Sequence, residues 1–317
     1  MAKPSTRSGS GSAADAPPRY RGRFAPSPTG LLHLGSLVAA LGSFLDARSR
    51  GGEWLVRIED LDPLRTVSGV ADAILSALDA CGLHWDGSVH YQSQRTAAYA
   101  AALDRLIEQG LAYPCACSRK EIAAHGLAGI EGPVYPGTCR AGLPPGRTAR
   151  AWRVGTDNDE VAFVDRVQGH RAQRIATAVG DFVVRRADGV HAYQLAVVVD
   201  DAWQGITDIV RGADLIASTP RQIHLQHLLG APSPRYAHLP LVLDATGRKL
   251  SKSDAAHPLD PRDPLPALLR AWRFLGQPPL ETAPANPAEF LEMATRVWAI
   301  ERAAHQDRRR IAARQAE

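Results

Sequence analysis

The sequence predicts an α/β fold organised as a doubly wound parallel sheet. Strand-like and helix-like segments alternate from Arg21 to Gln109, and Trp54–Ile58 is a compact apolar run. The loop after the first strand is crowded with turn residues, where an open α/β sheet binds its ligands. A parallel strand covered by helices on both faces reads as a continuous apolar run, which is the pattern of Trp54–Ile58.

The elements follow in order. Arg21–Ala25 is a short strand and Pro26-Ser-Pro-Thr-Gly30 its loop. Leu31–Arg50 carries Leu34, Leu37, Val38, Leu41 and Leu45 at helical spacing, and Gly51-Gly52 closes it. Trp54–Ile58 is the second strand, with helices at Val67–Cys81 and Thr96–Gln109. Periodicity fades over Ala112–Arg150, which is rich in Gly and Pro and holds Cys115, Cys117 and Cys139. Val161–Val167 and Asp181–Arg185 are short strands, followed by an apolar run at Gln194–Asp201. Ser218–Leu229 is a helix with a Thr-Pro start, and Ala237–Leu243 is the last core strand. Asp254–Glu317 reads as helix interrupted by proline, ending in an Arg-rich segment.

This pattern divides the chain into a disordered tail (1–19), two halves of an α/β domain (20–111 and 151–254), an insertion between them (112–150) and a helical C-terminal region (255–317). The tail is Ser, Gly, Ala and Pro with scattered charge, too polar to bury a core and without a targeting segment. Hydrophobic residues at 45% and charged residues at 22% are ordinary for a globular chain. No apolar run approaches the roughly 20 residues of a membrane span, so a soluble cytoplasmic protein is expected. Four cysteines do not make a secreted disulfide framework. The net charge of +4 permits a nucleic-acid partner without requiring one.

Two features carry chemistry. His33 stands where the first strand hands over to a helix, flanked by Gly30 and Gly35, which let a ligand approach backbone. Neither G-x-G-x-x-G nor a Walker lysine is present, which disfavours a standard dinucleotide or P-loop site. The second feature is lysine usage. Lys3, Lys120, Lys249 and Lys252 are the chain's four lysines among 37 basic residues, and two of them fall within Lys249-Leu-Ser-Lys-Ser253. An ammonium is a compact charge that can move onto a phosphate, so this Gly-preceded loop reads as a mobile phosphate-covering loop.

His33-Leu-Gly-Ser36 and Lys249-Leu-Ser-Lys-Ser253 resemble the H-I-G-H and K-M-S-K-S signatures of class I aminoacyl-tRNA synthetases. Arg23-Phe-Ala-Pro-Ser-Pro-Thr-Gly30, Arg57-Ile-Glu-Asp-Leu-Asp62 and Gly205-Ile-Thr-Asp-Ile-Val-Arg-Gly-Ala-Asp-Leu215 resemble the glutamyl branch of that family. The resemblance runs from about Arg21 to Asp254; Ser36 replaces the second histidine and Leu250 the methionine. It implies a Rossmann-like catalytic domain, ATP with Mg²⁺, and formation of glutamyl-adenylate. His33, Lys252 and Lys249 are then the catalytic cations, and His33, Gly35, Ser36 and Lys252 the ATP contacts. Glutamate, with two carboxylates and one ammonium, falls to Arg23, Arg211 and Glu59, with Phe24, Ala25, Pro26, Ser27 and Tyr193 around them. Arg23 is assigned the side-chain carboxylate, since a guanidinium fork rejects an amide. A structural Glu59–Arg211 ion pair is the alternative, and Asp200 and Asp201 are expected to shape the site.

The cysteine cluster suggests structural Zn²⁺ held by Cys115, Cys117 and Cys139. His125 is the chemically usual fourth ligand, while the resemblance implies Tyr135. Cys81 is read as core. Only 317 − 253 = 64 residues follow the lysine loop, so an anticodon-binding domain is not expected. That resembles a truncated branch of the family that transfers glutamate to the queuosine base in the anticodon of tRNA(Asp), as a monomer with no membrane partner. Charging the 3′ end of tRNA(Glu), or a non-catalytic tRNA-binding role, are the alternatives.

Overall fold

The computed structural model describes residues 19–243 and 258–305. Strands β1 (Arg21–Phe24) and β2 (Glu53–Ile58) pair in parallel, Gly22 opposite Trp54 and Phe24 opposite Val56. Helix α1 (Leu34–Arg48) joins them. It begins three residues later than the spacing predicts, because the Leu32 carbonyl accepts from the Leu259 amide and His33 caps the helix. Helix α2 (Val70–Ala80) also starts late: Gly69 before it lies at φ +74°, outside the helical region. Strand β3 (His90–Tyr91) adds to β2 in parallel; two residues are too few to leave a sequence pattern. Helix α3 (Thr96–Glu108) follows.

The cysteine-bearing stretch contains β4 (Ala112–Cys115), α4 (Arg119–His125) and a small hairpin of β5 (Ala128–Gly129) with β6 (Gly132–Pro133). Strand β7 (Ala151–Val154) pairs antiparallel with β4. Next, β8 (Glu160–Asp165) and β9 (Gly169–Arg174) form an antiparallel hairpin. The sequence reading misses β9, since an exposed edge strand of Gly, His, Arg and Gln has no apolar face to betray it. After α5 (Ile175–Ala178), β10 (Phe182–Arg185) joins the other edge of β7.

The apolar run around Gln194 is helix α6 (Tyr193–Trp203), and β11 (Asp208–Gly212), α7 (Thr219–Leu229) and β12 (Arg235–Leu239) complete the strand–helix–strand order. Pro240 stops β12 short of Leu243, because it has no N–H to give to a ladder. Strands β11, β12 and β8 run parallel, with β9 antiparallel at the edge. The Thr207 amide donates to the Arg21 carbonyl at 3.0 Å, which sets β11 beside β1 and brings the parallel strands of the two sheets edge to edge. The C-terminal part supplies α8 (Leu265–Phe274) and α9 (Pro287–Val297).

Burial explains the layering. Leu37, Leu41 and Leu45 of α1 pack with Trp54 and Ile58 of β2, Ile74 and Leu78 of α2, Trp272 of α8 and Phe290 of α9. A second cluster joins α3, β7, β10, α6 and α7 through Leu103, Leu106, Val154, Phe182, Leu195 and Leu225. Cys81 is buried in the first cluster. Among the described residues no helix is long and apolar enough to cross a membrane.

Candidate active site

The ends of β1, β2, β11 and β12 open into a cleft of about 850 Å³. Arg23, Phe24, Ala25, Pro26 and Ser27 line it from the end of β1, and His33, Gly35 and Ser36 from the start of α1. Glu59 enters from the residue after β2, Tyr193 from α6 and Arg211 from β11. Residues predicted from segments up to 188 positions apart in the chain (211 − 23) therefore share one cavity.

Beneath the cleft lies a buried network of opposite charges. Arg23 gives Nε and Nη2 to the two carboxylate oxygens of Asp201, at 3.0 and 3.3 Å. Arg57, fully buried in β2, gives Nη1 to Asp201 at 2.8 Å and Nη2 to Glu59 at 3.2 Å. Glu59 follows β2 directly, two residues on from Arg57, so one guanidinium holds both the aspartate under Arg23 and the glutamate at the cleft wall. Burial favours the neutral form of Asp201, yet Arg23 and Arg57 hold it below the ordinary carboxylate range. Burial wins at Glu59 and pushes its carboxyl upward despite Arg57 and Arg23. Glu59 pairs with Arg57 and not with Arg211, which replaces the ion pair considered from sequence. Asp200 lies deeper, accepting from Gln92 at 2.9 Å, Arg95 at 2.7 Å and Tyr99 at 2.7 Å.

Arg211 reaches the opposite wall. Its Nη2 donates to the Thr219 hydroxyl at 2.8 Å and its Nη1 to the Tyr193 hydroxyl at 3.4 Å. At the mouth, Asp62 and Arg186, both lining the cleft, form an ion pair at 2.7 Å.

His33 is fixed by its own helix. Its Nδ1 accepts from the Gly35 amide at 3.0 Å, which leaves Nε2 as the protonated nitrogen of the neutral ring. Ser36 closes a capping box: its hydroxyl accepts from the His33 amide at 2.8 Å. The residue in place of the second signature histidine is thus a cap that holds the first.

The three cysteines meet as a second centre. The sulfurs of Cys115, Cys117 and Cys139 lie within 4.8 Å of one another, Cys115 and Cys139 fully buried. The Tyr135 hydroxyl lies 3.4 Å from Cys115 Sγ and 3.8 Å from Cys117 Sγ, and accepts from the Cys139 amide at 2.9 Å. Donors face the sulfurs as well: Arg153 Nε reaches Cys115 at 3.3 Å and the Ala116 amide reaches Cys139 at 3.4 Å. His125 sits at the end of α4 with Nδ1 on the Glu121 carbonyl at 2.9 Å, outside this group.

Lys249 and Lys252, with the whole loop Lys249–Ser253, lie outside the described residues, as do Arg308–Arg310 and residues 1–18. Sequence reasoning gave no role to Arg57, although a guanidinium inside the apolar strand Trp54–Ile58 is itself a signal of a buried partner. It also missed His238, fully buried beside Arg211, whose only mark is its place in an apolar core strand.

Comparison with known proteins matches residues 19–263 to the catalytic domain of class I tRNA synthetases for glutamate and glutamine (E and Q). A glutamyl-Q tRNA(Asp) synthetase of Dechloromonas aromatica is 64% identical over 260 residues, covering 81% of this chain and 86% of that one. One from Chromobacterium violaceum is 56% identical over 284 residues, covering 89% and 95%. Among solved structures, a glutamate tRNA ligase of Elizabethkingia meningosepticum in complex with its amino acid superposes with a TM-score of 0.77. It is 24% identical and covers 93% of this chain and 68% of its own, a likeness of fold.

Proposed function

Because the chain belongs to the class I tRNA synthetases for glutamate and glutamine, we propose that it activates L-glutamate with ATP and transfers the glutamyl group to the queuosine base in the anticodon of tRNA(Asp). The observation that carries this reading is one cleft holding Arg23, Glu59, Tyr193 and Arg211 against the capped His33. The acceptor follows from relatives of that name at 53–64% identity across most of their length.

In the first step a glutamate α-carboxylate oxygen attacks the α-phosphorus of ATP, and the bond to the bridging oxygen breaks to release pyrophosphate. Charge spreads over the phosphoryl oxygens, so positioning and positive charge do the catalysis. His33 offers Nε2–H to those oxygens, and Lys249 and Lys252 supply ammonium groups. Mg²⁺ arriving with ATP would neutralise phosphate charge. Arg23 takes the side-chain carboxylate, Arg211 and Tyr193 the α-carboxylate and Glu59 the ammonium. A queuosine hydroxyl then attacks the acyl carbon and AMP leaves.

Three sulfurs and a phenol also fit Zn²⁺. Tetrahedral bonds of about 2.3 Å place sulfurs about 3.8 Å apart, and Cys117 and Cys139 are 3.7 Å apart. Cys115, Cys117, Cys139 and Tyr135 would hold the ion, which would fasten residues 112–150 between the catalytic halves 20–111 and 151–254. We read the enzyme as a cytoplasmic monomer.

ATP–pyrophosphate exchange without tRNA tests the activation step. Glutamate is expected to support exchange and glutamine not. Exchange with neither, or with both alike, would remove this reading.

A further inference from the structure

Arg211 does not stand on its own strand alone. In the parallel pairing of β11 with β12 it lies opposite His238, and its Nε donates to His238 Nε2 at 3.0 Å. On the far side of the ring, His238 Nδ1 meets Asp165 Oδ2 at 2.5 Å. Both side chains are fully buried. The other Asp165 oxygen accepts the amides of Val167, Gln168 and His238 at 3.0, 2.8 and 3.1 Å. The carboxylate is thus held by the turn after β8, and the ring by the carboxylate.

The proton arrangement follows from chemistry. A guanidinium N–H can only donate, so His238 Nε2 presents a lone pair and Nδ1 carries the hydrogen. Asp165, an acceptor only, demands the same tautomer from the other side. An imidazolium would set two N–H groups against each other at Nε2. Burial and the neighbouring Arg211 agree, holding the ring down to about 4. With Nε committed to His238 and Nη2 to Thr219, Arg211 keeps Nη1, beside the Tyr193 hydroxyl, for a carboxylate in the cleft.

We propose that His238, locked by Asp165 as the neutral Nδ1–H tautomer, is a positioning residue that sets the orientation of Arg211 for glutamate. The inference rests on the assignment of Arg211 to the substrate made above. It predicts that losing the acceptor at Nε2 weakens glutamate and leaves ATP alone.

Three substitutions in the full-length enzyme separate the possibilities, each followed by ATP–pyrophosphate exchange and a thermal melt. His238→Asn keeps a donor where Nδ1 was and removes the acceptor for Arg211. Its glutamate KM should rise about 10-fold to 100-fold, the worth of a hydrogen bond to a charged group, with the ATP KM unchanged. His238→Gln places an amide oxygen near the Nε2 position and should recover most of that loss. Asp165→Asn keeps the oxygen that receives the backbone amides but can offer N–H to Nδ1, forcing the other tautomer. It should reproduce the His238→Asn effect even if that variant folds poorly. Equal changes in glutamate and ATP KM, or Asn and Gln variants that behave alike, would overturn the positioning role while the wild-type activity stands. A wild type that fails glutamate-dependent exchange would instead remove the function on which the role depends.

Discussion

Asp201 holds two arginines beneath the cleft. It receives Arg23 through two nitrogens and Arg57 through a third, and all three side chains are buried. Replacing it with Ala takes the carboxylate from under the buried Arg23, while Arg57 keeps Glu59 and Gln204, at a cost of about 3–5 kcal/mol. Chemical denaturation should show that loss, and exchange should fall by roughly 100-fold or more as Arg23 loses its aim. Arg23→Lys tests a narrower point. It keeps the charge but loses the fork, so discrimination between glutamate and glutamine should shrink; unchanged discrimination would move the side-chain carboxylate elsewhere. Arg23, Glu59 and Arg211 were reached through the resemblance of their stretches to the glutamyl branch, and all three line the cleft. Asp165 and His238 were not, since their meeting spans 73 residues and only strand register creates it.

Helix α1 shows how an element places His33 at the cleft. Its N-terminus is set by the reciprocal cap between His33 and Ser36, not by apolar periodicity, which continues back to Leu31. Ser36→Ala should therefore cost about 1 kcal/mol in unfolding free energy. The cysteine-bearing stretch is a different case. It has a small core of its own, Cys115, Ala116, Tyr135 and Cys139, with Tyr113, Ile122 and Leu143 packed against it. If Zn²⁺ ties it down, Cys117→Ser should release metal measured by elemental analysis and lower the melting temperature. A wild type purified without metal, and indifferent to added Zn²⁺, would remove the metal from the account. Cysteine spacing made this centre visible in the sequence; the strands around it were not, because β4 and β7 pair across 30-odd residues of loop and short helix.

At the scale of the molecule, buried carboxylates hold separate segments together. Asp46 on α1 accepts from Tyr20 before β1, from Arg166 after β8 and from Trp298 after α9. Burial alone would raise its pKa, but Arg166 and the other donors hold it below the ordinary value of 3.8. Asp165 and Asp201 are depressed in the same way. A carboxyl lowered by folding contributes stability that is complete above its unfolded pKa and is lost as pH falls through the folded one. Melting temperature should thus begin to fall below about pH 6.5, where the unfolded chain takes the proton that buried His238 refuses down to about 4, and fall further below about pH 4 as the carboxylates are lost. The alternation of strands and helices was enough to read this α/β plan from the sequence, whereas the edge-to-edge junction of β1 with β11 depends on contacts between distant segments. The central claim concerns the acceptor, and one measurement reaches it. Queuosine-containing tRNA(Asp) is charged with radioactive glutamate and digested with nuclease. Label is expected on the anticodon fragment; label on the 3′-terminal adenosine would contradict transfer to queuosine.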